Sequence, residues 1–301
     1  MRISTNTIYQ TAISKISELQ GDQSRLQQQI ATGKRILAPS DNPIAAARVL
    51  DITHSQSVND QFASNRQVAN TNLTGLDISL SSITELLVDT KTTLVGAAGT
   101  LTAGQKSSIA LKLSTTLETL IGLANTQDAS GNYIYAGYKN DTKPFTATAT
   151  GATYNGDSNQ QLLQVDGQRQ MAVNAPGDSV FQAGGNDVFA TYSTLVTLLN
   201  NPAATDAAVA AGVTTAITSI QNATDTVALT RASVGHKINE LDALNNVGSS
   251  RKLQYAQAQS ELEDLDYAQA LSDLAQKQTI LEAAQQSFVK TTGLSLFDFI
   301  R

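Results

Sequence analysis

The sequence predicts a mainly α-helical protein in which both chain ends form a long antiparallel helical bundle or coiled coil, with a small β-rich domain inserted centrally. Three observations carry that prediction. In the N-terminal segment apolar residues recur at alternating spacings of three and four, the seam of a coiled coil, and towards the C-terminus they share one face at heptad-like spacing. Between about 131 and 186 the pattern changes to β-branched and aromatic residues broken by turn dipeptides. Aromatics make up only 5% of the 301 residues, Trp is absent, and Ala, Thr, Ser, Asn and Gln abound. That palette suits long helices lying side by side better than a globule centred on aromatic rings.

The first helix reads from about Thr5 to Ala31, with Tyr9, Ala12, Ile16, Leu19, Gln23, Leu26 and Ile30 on one seam. Gly33 is its expected stop. A link from Lys34 to Asn42 follows, containing Arg35 and Pro39. Pro43 fits the first turn of a second helix, with Asp41 or Asn42 as its cap. The second stripe begins at Ile44, Ala47, Leu50 and His54 and continues through Val58, Phe62, Val68, Leu73, Leu76, Leu80, Ile83, Leu87 and Leu94. One helix of about fifty residues would be roughly 75 Å long, a length that seeks partners alongside. Another helix is expected from Gly104 to Asn125.

Asn155-Gly156 and Asp166-Gly167 then read as hairpin turns within the β-rich stretch. Helical pattern resumes near Asp187 and stops before Asn201-Pro202. A long helical run is expected from Asp206 to about Lys290, in which Leu271, Leu274, Leu281, Ala284 and Phe288 share one face. Gly293 is the expected end, followed by an apolar tail, Leu294 to Ile300.

A chain that leaves as helix, makes an insertion and returns as helix is built like a hairpin with its ends together. The expected division is 1–42 with 265–301 as terminal helices and link, 43–130 with 187–264 as a helical bundle, and 131–186 as the β-rich domain. Gln, Ser and Ala dilute both terminal seams. In isolation such helices bury too little to offset about 1–2 kcal/mol per residue of backbone ordering. Both ends are therefore expected to be largely unfolded in the free monomer and to fold on association, with an ordinary intramolecular coiled coil as the alternative.

Chemistry is conspicuously thin. A net charge of −6 with no basic stripe argues against nucleic-acid binding. Cysteine is absent, which removes disulfides and thiolate sites. The N-terminus carries no cleavable secretory signal, and no apolar run is long enough to span a membrane. The two histidines, His54 and His236, each lack a second histidine or a cysteine three or four residues away. No Gly-x-Ser-x-Gly elbow occurs, and in Gly99 to Lys106 the lysine falls one position late for a phosphate loop. Glu261, Glu263, Asp264 and Asp266 read as a solvated face or a helix start rather than a metal site. The Asn-x-Thr triplets at Asn72, Asn140 and Asn222 carry no weight in so Thr-rich a chain. No catalytic, cofactor or metal site is expected, and the chain reads as a structural protein and not an enzyme.

Three segments resemble a known family. They are the N-terminal MRISTNTIY, the stretch Thr32 to Arg48 with its Gly33-Lys34-Arg35, Pro39, Asp41-Asn42 and Pro43-Ile-Ala-Ala, and Leu265 to Gln278. All are similar to the conserved ends of the bacterial flagellins. Pro39 and Pro43, the segment Asn132 to Phe145 and the ending Leu-Phe-Asp-Phe-Ile bring the chain closer to the hook–filament junction branch of that family than to filament-forming flagellin. The resemblance covers roughly 1–145 and 205–301.

It implies a flagellar structural protein that assembles with copies of itself in a ring or tubular lattice. A hook-associated protein would lie on the hook side and flagellin on the filament side. The terminal helices would line an inner tube through two assembly seams, Tyr9, Ile16, Leu19, Leu26 and Ile30 in one and Leu271, Leu274, Leu281 and Phe288 in the other. Gly33, Lys34, Arg35, Pro39 and Pro43 would form the spoke link to the bundle, and the β-rich domain would face outward. The resemblance also implies export through the flagellar type III apparatus without a cleaved signal, to an extracellular place in the flagellum. Before export, a chaperone would hold the C-terminal helix around Leu271 to Phe288. A flagellin that forms the filament itself is the nearest rival, and another type III-secreted coiled-coil protein a more distant one.

Overall fold

The structure is a computed structural model; it describes residues 5–297, with side chains described for Thr7 and for 9–291. Two compact units divide the chain: 1–58 with 250–301, and 59–249.

In the first unit, helix α1 spans Thr5–Thr32. It ends where Gly33 turns into the left-handed region at φ +70°, which costs glycine nothing. The next helix, α2 (Pro43–Gly96), starts as expected at the proline. Its cap is Asn42, whose Oδ1 accepts from the Ala45 amide at 3.0 Å.

On the return path the expected single run is two helices, α6 (Asp206–Glu263) and α7 (Tyr267–Phe297). Asp266 makes the break. Its Oδ1 accepts from the amides of Ala268 and Gln269 at 3.0 and 3.1 Å, capping α7 afresh. Gly293 does not stop α7, which continues to Phe297. A single glycine costs a helix only about 1 kcal/mol.

In the second unit, α2 runs antiparallel to α6, with cross-links Arg66 to Asn245, Asp77 to Arg231 and Lys91 to Gln221. Leu73, Leu80, Leu87 and Leu94, seven residues apart, are buried, and Leu76 and Ile83 lie beside them. Val213, Ile220, Val227, Val234 and Leu241 make the matching ladder on α6. Sevenfold spacing on both helices is coiled-coil packing. Extended backward, the α2 ladder passes through Arg66, Asn59, Ile52 and Ala45. This corrects the first half of the expected stripe: Ile44 and Leu50 are each 72% exposed, and Val58 and Val68 are exposed too. They stand one or two positions off the ladder, whose places are held by polar Arg66 and Asn59 beside Val68 and Val58, and by Ile52 and Ala45 beside Leu50 and Ile44.

Helix α3 (Ala103–Ala124) begins with a capping box between Thr102 and Gln105. It packs against α5 (Val188–Asn200), capped by Asp187. Between them lies the small β region. Strand β1 (Phe145–Thr148) pairs antiparallel with β2 (Gly151–Tyr154), and β3 (Leu162–Asp166) with β4 (Arg169–Ala172). A register shift lies between Gln164 and Asp166.

The second hairpin turns just after Asp166, at Gly167-Gln168, as expected to within a residue. The first does not turn at Asn155-Gly156. It turns at Ala149-Thr150, because Gly151 at φ +129° supplies the unusual backbone and Asn155 instead donates its amide to Pro144 O at 2.8 Å. A short helix α4 (Gly177–Phe181) closes the region. The rings of Phe145, Phe181 and Phe189 meet there at centroid distances of 4.9–5.3 Å, so the sparse aromatics are concentrated under the β region.

Candidate assembly site

Helices α1 and α7 pack as an antiparallel pair. Along α1 the half-buried positions are Tyr9, Ala12, Ile16, Leu19, Gln23, Leu26 and Ile30, joined near the helix end by Gln29; the other described side chains are exposed. The α7 seam runs through Ala270, Leu274, Lys277, Leu281, Ala284 and Phe288. Tyr9 meets Phe288 edge-on at 5.7 Å. With Ala12, Ile16 and Ala284 they line an apolar cavity of about 250 Å³. Lys277 sits in the apolar line by reaching Asp22 at 2.7 Å, which holds the Asp22 carboxyl below its ordinary pKa.

Leu271 stands apart from Leu274, Leu281 and Phe288. It is 54% exposed because Ala270 takes the seam position one residue earlier. The residue spacing 270, 274, 277, 281, 284, 288 alternates four and three throughout. That regularity was the available signal for Ala270 and Lys277.

The link and the α6–α7 break lie against each other. Lys34 and Asp264 form an antiparallel bridge. Leu265 donates to Gly33 O at 2.9 Å, and Arg35 donates its amide to Glu263 O at 2.6 Å. Side chains reinforce this crossing: Lys34 pairs with Glu263 at 3.0 Å, and the Arg35 guanidinium donates to Leu262 O at 2.9 Å.

Further along the link, Asp41 folds the chain over itself. Its carboxylate accepts from the amides of Leu37 and Ala38 at 2.9 and 3.1 Å and pairs with Arg25 at 2.6 Å. The two amides, and secondarily Arg25, hold its pKa below the usual carboxylate range. Thus Gly33, Lys34 and Arg35 are drawn into one clamp, while Pro39 and Pro43 are exposed beside it. Tyr267, Glu263, Arg25 and Asp41 complete the clamp. Pairing across more than two hundred residues leaves no local signature of Glu263 and Tyr267 as partners of the link.

Chemistry of other kinds is thin here too. Among the described residues no group of three or more His, Asp or Glu is placed to hold a metal, and no helix is long and apolar enough to cross a membrane. What the arrangement offers is a half-buried apolar pair joined at a clamped crossing.

Comparison with known proteins gives that arrangement a family. Residues 3–140 match the bacterial flagellin N-terminal helical region. Flagellar hook-associated protein 3 of Escherichia coli (strain K12) is 31% identical over 99% of both chains. The chain belongs to the flagellar hook-associated protein 3 family. The Salmonella typhimurium member is likewise 31% identical, over the whole of both chains. In fold, the chain is similar to the crystal structure of the flagellar junction protein FlgL from Legionella pneumophila. That match has a TM-score of 0.60 and 17% identity, over 72% of this chain and all of the other. Membership makes the chain a structural component of the bacterial flagellum, related to the flagellins as its end segments suggest.

Proposed function

We propose that this chain forms the junction between hook and filament. The observation that carries the reading is the half-buried α1–α7 pair, whose seam side chains are closed off on one side only. Neighbouring copies in a tubular lattice would cover the rest, through the heterologous contacts that such lattices need. The Legionella relative named as a flagellar junction protein supports the same placement.

In this reading 1–42 with 265–301 line the inner tube, 43–130 with 187–264 form the surrounding bundle, and 131–186 faces outward. A hook-associated protein sits on the hook side and flagellin on the filament side. The subunit travels through the type III export apparatus without a cleaved signal, its C-terminal helix from Leu271 to Phe288 held beforehand by a chaperone. Its work is mechanical rather than catalytic: one layer matches two unlike neighbours.

Electron microscopy of cells lacking the gene, with a blot for flagellin in the medium, tests the proposal. Intact hooks without filaments, and flagellin shed as monomer, are expected. Filaments growing normally would overturn it. Loss of filaments with no other flagellin found would make this chain the filament itself.

A further inference from the structure

The second unit contains a cavity of about 430 Å³ beside helix α2, between Asn72 and Ile78 on one wall and the loop from Thr126 to Ile134 on the other. This volume is within the range of small-ligand sites. The loop wall is held in place. Asp128 accepts from the amides of Ser130 and Asn132 at 2.8 and 2.9 Å, Gln127 bridges Tyr133, and Ile134 donates to Thr126 O at 3.1 Å. From the β side, Gln161 ties the floor together by donating to Gly137 O at 2.8 Å and to Asn140 Oδ1.

Those bonds leave a particular remainder. Among the described residues, the whole amide of Asn72, the Ser130 hydroxyl, Asn132 Oδ1, Asn140 Nδ2 and Gln161 Oε1 have no partner within the chain. Donors and acceptors are mixed, and all are neutral. The one carboxylate in the lining, Asp128, is engaged by its own loop, and no cation lines the site. Tyr133 and Ile78 add apolar surface beside the amides.

A hydroxyl donates and accepts at once, as each carboxamide does with its two ends. Neutral amides beside an aromatic ring therefore fit a ligand with many hydroxyls on an apolar ring. We propose that this cavity binds a single neutral pyranose unit, a role separate from assembly.

Saturation-transfer difference NMR on the full chain with glucose, galactose, mannose and N-acetylglucosamine tests this. At least one sugar is expected to give saturable signals. Binding should weaken about tenfold in Asn72→Leu and in Ser130→Ala, about one lost hydrogen bond each. Neither side chain bonds within the chain, so both variants should keep the parent's melting curve. Silence from every sugar at tens of millimolar would overturn the proposal. So would undiminished binding in both folded variants, or signals from propylamine and from none of the sugars.

Discussion

Tyr267 holds its hydroxyl 2.8 Å from the point where a β-carbon on Gly33 would stand, at the crossing where the link meets the start of α7. Gly33 is at φ +70°, so two separate constraints favour glycine there. They differ in weight. The phenol is the far end of a half-exposed side chain and can swing aside, whereas the backbone angle costs an alanine about 1–2 kcal/mol. Stability should therefore fall in the order Gly, Asn, Ala, Val, since Asn tolerates this region. Tyr267→Ala should not rescue Gly33→Ala. Urea unfolding of the four proteins measures the order, and an Ala variant as stable as the parent would contradict it.

Asp41 gives the link a pH dependence whose sign follows from its lowered pKa. Its carboxylate is bound by the Leu37 and Ala38 amides and by Arg25, so the folded chain prefers the charged form. The contribution is present above the unfolded value of about 3.9 and is lost as pH falls through the lower folded value. Asp41→Asn should thus be less stable than the parent at neutral pH, with the difference closing below about pH 4. Denaturation of both proteins at several pH values reads this directly. A gap that persists at pH 2 would assign the effect to shape and not charge.

Gly248 lies on the α6 ladder, seven residues beyond Leu241, opposite a buried arginine. A β-carbon there would run into Arg66 Nη2. Arg66 is 2% exposed and donates to Val165 O at 2.9 Å and to Asn245 Oδ1 at 2.7 Å, so it cannot move without losing bonds. Gly248→Ala should destabilise, although alanine is the better helix former by about 1 kcal/mol. Arg66→Met should cost about 2–4 kcal/mol by stranding the buried acceptors. Chemical denaturation gives both values. Stabilisation by the alanine would mean the arginine has room to spare.

That ladder also explains what could be read in the sequence and what could not. Where apolar residues hold the seam, as from Tyr9 to Ile30 and from Leu73 to Leu94, periodicity alone identifies the buried face. Where Asn59 and Arg66 occupy ladder positions, periodicity drifts onto Val58 and Val68, and further back it falls on Ile44 and Leu50 beside Ala45 and Ile52; all four are exposed. The break at Asp264 to Asp266 is half legible: Asp266 is a local cap, in an acidic group that reads as a solvated face or a helix start, whereas the bridge from Asp264 to Lys34 joins residues far apart in sequence. The sugar-sized cavity gathers residues 72, 130, 132, 140 and 161, and no linear motif unites them.

Leu281 and Leu271 separate the intramolecular seam from any contact between copies. Leu281 is half-buried against α1, while Leu271 faces solvent. Leu281→Asp puts a charge into a desolvated line and should both weaken the α1–α7 pair and block incorporation into flagella. Leu271→Asp should leave the monomer unchanged. If Leu271 packs against a neighbouring copy, that variant too should fail to restore motility. Full motility from Leu271→Asp would remove it from the interface, and full motility from Leu281→Asp would refute the seam itself.

Amide exchange decides how far the terminal helices hold before assembly. Among the described side chains of α1, none is fully buried, and on α7 only Ala270 is. A helix pair sealed on one side gains too little apolar burial to offset the ordering of some fifty residues, at about 1–2 kcal/mol each. The clamp at Gly33 and Tyr267 anchors one end of the pair, whereas at the Tyr9 and Phe288 end a single edge-on ring contact closes an apolar cavity. Protection in the monomer should therefore be low across 5–31 and 270–290 and rise toward the clamp, while Leu73 to Leu94 and Val213 to Leu241 exchange slowest. Strong protection at Ile16 and Leu281 in the free monomer would show that the pair folds without neighbours.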